Sequence, residues 1–126
     1  LPGDNYFKLR LRSIKIALSG IWQVIITQQN ARIHLAATLV VLIASILLGF
    51  SRMEWMILLL TVGFVWAAEI FNTAIEDLVD LISPENTPAA KRIKDISAGA
   101  VLVSALVSVL VGLLLFGTRI WAWIAG

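Results

Sequence analysis

Leu58–Asp80 reads LLLTVGFVWAAEIFNTAIEDLVD, an apolar run that closes on carboxylates at positions 69, 76, 77 and 80 and an amide at 72. Trp55–Ala68 is apolar throughout but falls short of the about 20 residues that cross a bilayer at 1.5 Å rise each. A crossing helix must therefore take in the EIFNTAIE segment at its far end. With 3.6 residues per turn, positions 69, 72, 76 and 80 lie within roughly 80° of one another on one face. Glu69, Asn72, Glu76 and Asp80 thus form a stripe about 16 Å long, with Asp77 to one side. A carboxylate at membrane depth is costly unless it is paired, protonated or bound to metal. The second helix carries no cation near the stripe, so a divalent metal or an incoming donor group is the expected partner. A solvated helix end would explain Glu76, Asp77 and Asp80, and a lone Glu can pair with an Arg of another helix. Neither explains the whole face.

The rest of the chain agrees with a membrane setting. Of 126 residues, 60% are hydrophobic, and the mean hydropathy is +0.92, more than a soluble monomer of this size can hide from water. There is no cysteine, which excludes disulfides and thiolate metal sites. A net charge of +2 is too small to point to nucleic acid. The opening LPGDNYFKLRLR lacks the apolar core and cleavage site of a secretory signal.

The expected fold is all-α and a single domain over 1–126. Residues 5–28 read as an amphipathic helix with Lys8, Arg12 and Lys15 at helical spacing, suited to the headgroup layer. Three spans follow, at about 31–50, 54–82 and 91–116, the last rich in small residues that permit close helix contact. Gly49–Arg52 and the Ser83–Pro88 stretch, with its two prolines, are the turns. Trp121 and Trp123 read as interfacial anchors. Lys91, Arg92 and Lys94 fall on the same side as the basic first helix, so the positive-inside rule places both in the cytoplasm. Lysines at a helix start beside carboxylates and a loop suit a polyphosphate held with Mg²⁺. His34, the one histidine, reads as a hydrogen-bonding residue at the start of the first span rather than a ligand.

The run Glu69, Asn72-Thr73-Ala74-Ile75-Glu76, Val79-Asp80, followed by Lys94-Asp95-Ile96-Ser97-Ala98-Gly99-Ala100-Val101, strongly resembles the prokaryotic diacylglycerol kinase family. These are small integral-membrane lipid kinases that include the undecaprenol kinases. Ser19–Trp22, Asn30 and Ile33-His34 extend the likeness over about residues 8–116. The resemblance implies a homotrimer of three-span subunits in the bacterial inner membrane. Its active sites would lie between subunits at the cytoplasmic boundary, with ATP, Mg²⁺ and the hydroxyl of diacylglycerol or undecaprenol as reactants. It implies Glu69 as general base with Asn72 beside it, and Glu76 as the carboxylate holding the metal. Asp80, Lys94, Asp95 and the loop Glu85, Asn86 and Thr87 would hold nucleotide. Arg10 or Arg12 would reach the phosphates, and Ser97 and Ala98 would meet the lipid hydroxyl. Gln28 stands where the family commonly has a second metal-holding Glu; its amide oxygen can still ligate Mg²⁺, but the site loses one negative charge.

Phosphoryl transfer depends chiefly on positioning and charge, and a base about 10 Å of helix rise deeper than the metal carboxylate suits a lipid acceptor and an aqueous donor. No Gly-rich Walker loop occurs. A proton-relaying membrane protein would use Glu69 but leave Asn72 and Lys94-Asp95 without a task. A binding-only homologue would find its support in Gln28 alone.

Overall fold

The computed structural model describes residues 2–126, which form four helices: α1 (Pro2–Thr27), α2 (Gln29–Leu47), α3 (Arg52–Ile82) and α4 (Pro88–Ala125). The all-α architecture with a leading amphipathic helix is the expected one, and α2, α3 and α4 are each long and apolar enough to cross a membrane. This is a membrane protein.

Local chemistry sets each boundary. Gln28 alone separates α1 from α2, in an extended conformation at φ −106° and ψ 121°. At the end of α2 the Phe50 amide donates to the Ser45 carbonyl (3.1 Å) and the Gly49 amide to that of Ile46 (3.2 Å). This reciprocal pair is a Schellman ending, and it needs the positive φ of +65° that Gly49 adopts. Ser51 then opens α3 through a capping box: its hydroxyl accepts from the Glu54 amide, and the Glu54 carboxylate accepts from the Ser51 amide (2.8 Å). α3 therefore starts at Arg52, slightly before the expected position 54. Thr87 caps α4 by accepting from the Ala90 amide (3.1 Å), with Pro88 in the first turn.

α4 does not stop near Phe116. It runs on to Ala125 because Gly117 keeps a negative φ and Arg119, from the added stretch, reaches back to the first turn of α3. There the Arg119 Nε donates to Glu54 Oε1 (2.9 Å), and the guanidinium lies 5.9 Å from the Phe50 ring centre. Trp121 and Trp123 on this extension are exposed.

The tightest packing is between α3 and α4, and the sequence explains it. Buried positions on α3 recur at 58, 65, 72 and 79, and those on α4 at 90, 97 and 104. Both series have a seven-residue period, the seam of a coiled coil, and Ala90, Ser97 and Ser104 keep the α4 side small enough for close approach. α2 packs on α3 but stays away from α4, which leaves a long depression between them floored by α3. α1 buries only Val24 among its described side chains. The exposed area is 9608 Å², against about 6,600 Å² for a soluble monomer of this mass. The excess is largely apolar, and lipid or further protein must cover it.

Candidate active site

The seven-residue seam is what carries the carboxylate stripe into the interior. Asn72 occupies a seam position, and Glu69 and Thr73 flank it. Glu69 is 1% exposed, the most deeply buried charged side chain among the described residues. Its Oε2 has no hydrogen-bond partner. The nearest basic group comes from α2, where His34 Nε2 lies 3.6 Å away. One turn further along, Asn72 Nδ2 donates to Glu76 Oε1 (3.3 Å), while Asn72 Oδ1 is buried and unpartnered. Ser97 Oγ, on the facing side of α4, is also buried without a partner. Buried polar atoms are normally satisfied, so three such orphans within one short stretch of seam mark a place built for something else.

A cleft of about 320 Å³ opens beside these atoms, lined by Asn30 and His34 of α2, Asn72 and Glu76 of α3, and Ala98 and Val101 of α4. Below it, where α3 and α4 leave the apolar zone, Lys94 forms an ion pair with Asp80, and Lys91 with Asp95. Arg92, Glu85 and Asn86 are exposed on the same rim. Thr87 is occupied as the cap of α4.

The structure thus brings Asn72, Glu76 and Ala98 to one cleft, with Glu69 buried behind His34 at its wall, and sets Asp80, Lys94 and Asp95 at the mouth. Ser97 lies on the seam and lines a separate cavity beside Phe71 and Ala100. It does not bring Arg10, Arg12 or Gln28 to the cleft of the same chain. The Arg10 guanidinium lies over Tyr6 of its own helix (5.4 Å), Arg12 is exposed, and Gln28 stands at the α1–α2 break without capping α2 through its side chain. No group of three or more acidic, His or Cys side chains gathers into a metal cage among the described residues. Magnesium does not need one: one or two carboxylates with phosphate oxygens and water suffice. Glu76, which lines the cleft, and the unpartnered Asn72 Oδ1 buried beside it are hard oxygen donors, and they fit such an ion.

Two contacts near the site escaped sequence reasoning. The stripe does have an intramembrane basic neighbour, His34, but on another helix, where no periodicity within α3 can show it. Trp66 Nε1 likewise donates to Thr38 Oγ1 (3.0 Å) across α2 and α3. Helix rise counted from the basic side puts His34 about 8 Å along α2 and Glu69 about 20 Å along α3, so no sequence signal paired them.

A helical membrane protein with a buried carboxylate, an amide–carboxylate pair and a rim of ion-paired lysines at one boundary has the parts that phosphoryl transfer to a lipid hydroxyl uses. Comparison with known proteins agrees. The profile of the family described as prokaryotic diacylglycerol kinase matches residues 15–116. An undecaprenol kinase of Bacillus subtilis is 46% identical over 97 residues, which cover 77% of this chain and 79% of that protein. A diacylglycerol kinase of Synechocystis is 38% identical over 103 residues, covering 81% of this chain and 59% of that protein. The chain belongs to the prokaryotic diacylglycerol kinase family and is a lipid kinase.

Proposed function

We propose that this chain transfers the γ-phosphoryl group of ATP to the hydroxyl of undecaprenol, as a homotrimer in the bacterial inner membrane with its cleft toward the cytoplasm. The observation that carries the reading is the run of buried Glu69, buried Asn72 and half-buried Glu76 along one helix face, ending at the Asp80–Lys94 rim. The lipid hydroxyl arrives from the hydrocarbon side and gives its proton to Glu69. Its oxygen attacks the γ-phosphorus while the bond to the β-phosphate oxygen breaks and ADP leaves toward the rim. Asn72 orients the reacting groups between the two carboxylates. Ser97 Oγ is available to the lipid hydroxyl. Glu76 and Asn72 Oδ1 would hold Mg²⁺, which neutralises phosphate charge when bound. Lys94 and Lys91 exchange their carboxylate partners for phosphate oxygens.

The acceptor's tail has room. Beyond the cleft, the depression between α2 and α4 continues through a narrow cavity of about 100 Å³ beside His34 and Phe116. It widens to about 800 Å³ beside Leu47 and Trp123. From Asn30 to Leu47 this is about 26 Å of helix rise, nearly the hydrocarbon thickness. Undecaprenol is preferred because the relative named for it is the more similar one and is matched over more of its length. The match to a diacylglycerol kinase favours diacylglycerol as the second reading.

The test is γ-phosphate transfer by purified protein in mixed micelles with Mg²⁺, undecaprenol and diacylglycerol being offered in parallel. Faster transfer to undecaprenol, lost in Glu69→Gln, supports the proposal. Preference for diacylglycerol replaces the substrate and keeps the chemistry.

A further inference from the structure

We propose that His34 is the positioning residue for Glu69, fixing which carboxylate oxygen faces the lipid hydroxyl. The inference rests on Glu69 being the base. On its own helix the polar side chains beside Glu69 are engaged elsewhere: the Asn72 amide donates to Glu76, and the Thr73 hydroxyl donates to the Glu69 backbone carbonyl (3.0 Å). His34 remains, with Nε2 at 3.6 Å from Oε2. That separation is too long for a formed hydrogen bond and is of the kind that tightens when substrate fills a site.

The backbone that carries the imidazole is tied to α3. Thr38, one turn along α2, donates to the His34 carbonyl (2.7 Å) and accepts from Trp66 Nε1 (3.0 Å). Trp66 precedes Glu69 by one turn on α3. Two polar contacts therefore join α2 to α3, His34–Glu69 toward the cleft and Thr38–Trp66 one turn deeper. His34 also lines both the cleft and the narrow cavity behind it, so it stands where the acceptor's head meets its tail. With Oε2 held by the imidazole, Oε1 keeps a lone pair for the incoming hydroxyl.

The experiment compares His34→Ala, His34→Gln and His34→Asn with Trp66→Phe and Glu69→Gln in the micellar assay. Misplacing a reacting group by about 1 Å costs on the order of 10²-fold in rate. His34→Ala is expected to lose about that much in kcat, with KM for lipid and ATP changed by no more than about twofold. His34→Gln, whose amide nitrogen reaches as far as Nε2, recovers most of kcat. His34→Asn, one methylene shorter, does not. Trp66→Phe, which removes the neighbouring rung alone, keeps kcat near that of the parent. Should the Ala variant fail to fold, the Gln and Asn pair decides. Equal kcat in Gln and Asn, an unchanged kcat in Ala, or a loss confined to KM overturns the inference. If Glu69→Gln retains activity, the reading of Glu69 as base fails first, and that outcome is separate from the others.

Discussion

At Glu69 a carboxylate buried to 1% exposure faces a histidine across a helix interface, and its oxygen is left unsatisfied. Packing alone would place an apolar residue there, since burying a polar group with no hydrogen-bond partner costs stability. Glu69→Leu is therefore expected to raise or preserve the melting temperature of the protein in detergent while abolishing phosphate transfer, and differential scanning of the pair checks it. On the proposed reading Glu69→Gln loses about 10²- to 10⁴-fold in kcat, the contribution of a positioned base. Asn72 behaves differently, because its amide also satisfies Glu76. Asn72→Leu leaves the Glu76 carboxylate without that donor and is expected to lower both activity and stability, the latter by about 1–3 kcal/mol. A stability gain in Asn72→Leu would show that the seam position is merely tolerated.

Among the helices, what holds each boundary is a small set of terminal bonds. Gly49 adopts φ +65° with open space around its α-carbon, so Gly49→Ala carries only the backbone term and is expected to cost about 1 kcal/mol. Ser51→Ala removes one half of the α3 capping box and is expected to cost a similar ~1 kcal/mol. Thermal unfolding in detergent reads both, and the two losses add, as for independent caps. A much larger loss would mean that the α2–α3 turn is held by something besides its caps. These signals were legible in the residues, since Gly, Ser-x-x-Glu and Thr-Pro announce helix ends by chemistry that acts over three or four positions. The carboxylate stripe was legible for the same reason. His34–Glu69, Trp66–Thr38 and Glu54–Arg119 were not, because each joins residues on different helices whose rotation and depth only the packed fold sets. The extension of α4 beyond Phe116 was hidden likewise: a glycine reads locally as a stop, and the pairing of Arg119 with Glu54 is a tertiary fact.

For the molecule as a whole, the distribution of charge is at odds with a site made by one chain. The cleft holds acids and an amide, its nearest lysines are engaged with Asp80 and Asp95, and Arg10 and Arg12 sit on a helix whose described side chains are nearly all exposed. Leaving Mg²⁺ aside, a nucleotide triphosphate at the cleft would meet more negative than positive charge in this one subunit, and further cations would favour phosphoryl transfer. On the proposed homotrimer a neighbouring copy lays its own α1 across the rim and supplies the missing cations, while covering part of the apolar area that a single chain leaves open. Two inactive forms of the chain should then complement each other. Subunits carrying Glu69→Gln, mixed with subunits carrying Arg10→Ala and Arg12→Ala, would assemble some sites that join an intact base to intact arginines. Reconstituted together, the two are expected to recover a substantial fraction of the parent's transfer rate, whereas each alone stays near background. If both are inactive separately and remain so after mixing, every site takes its base and its arginines from the same chain, and α1 must swing onto its own cleft when nucleotide binds.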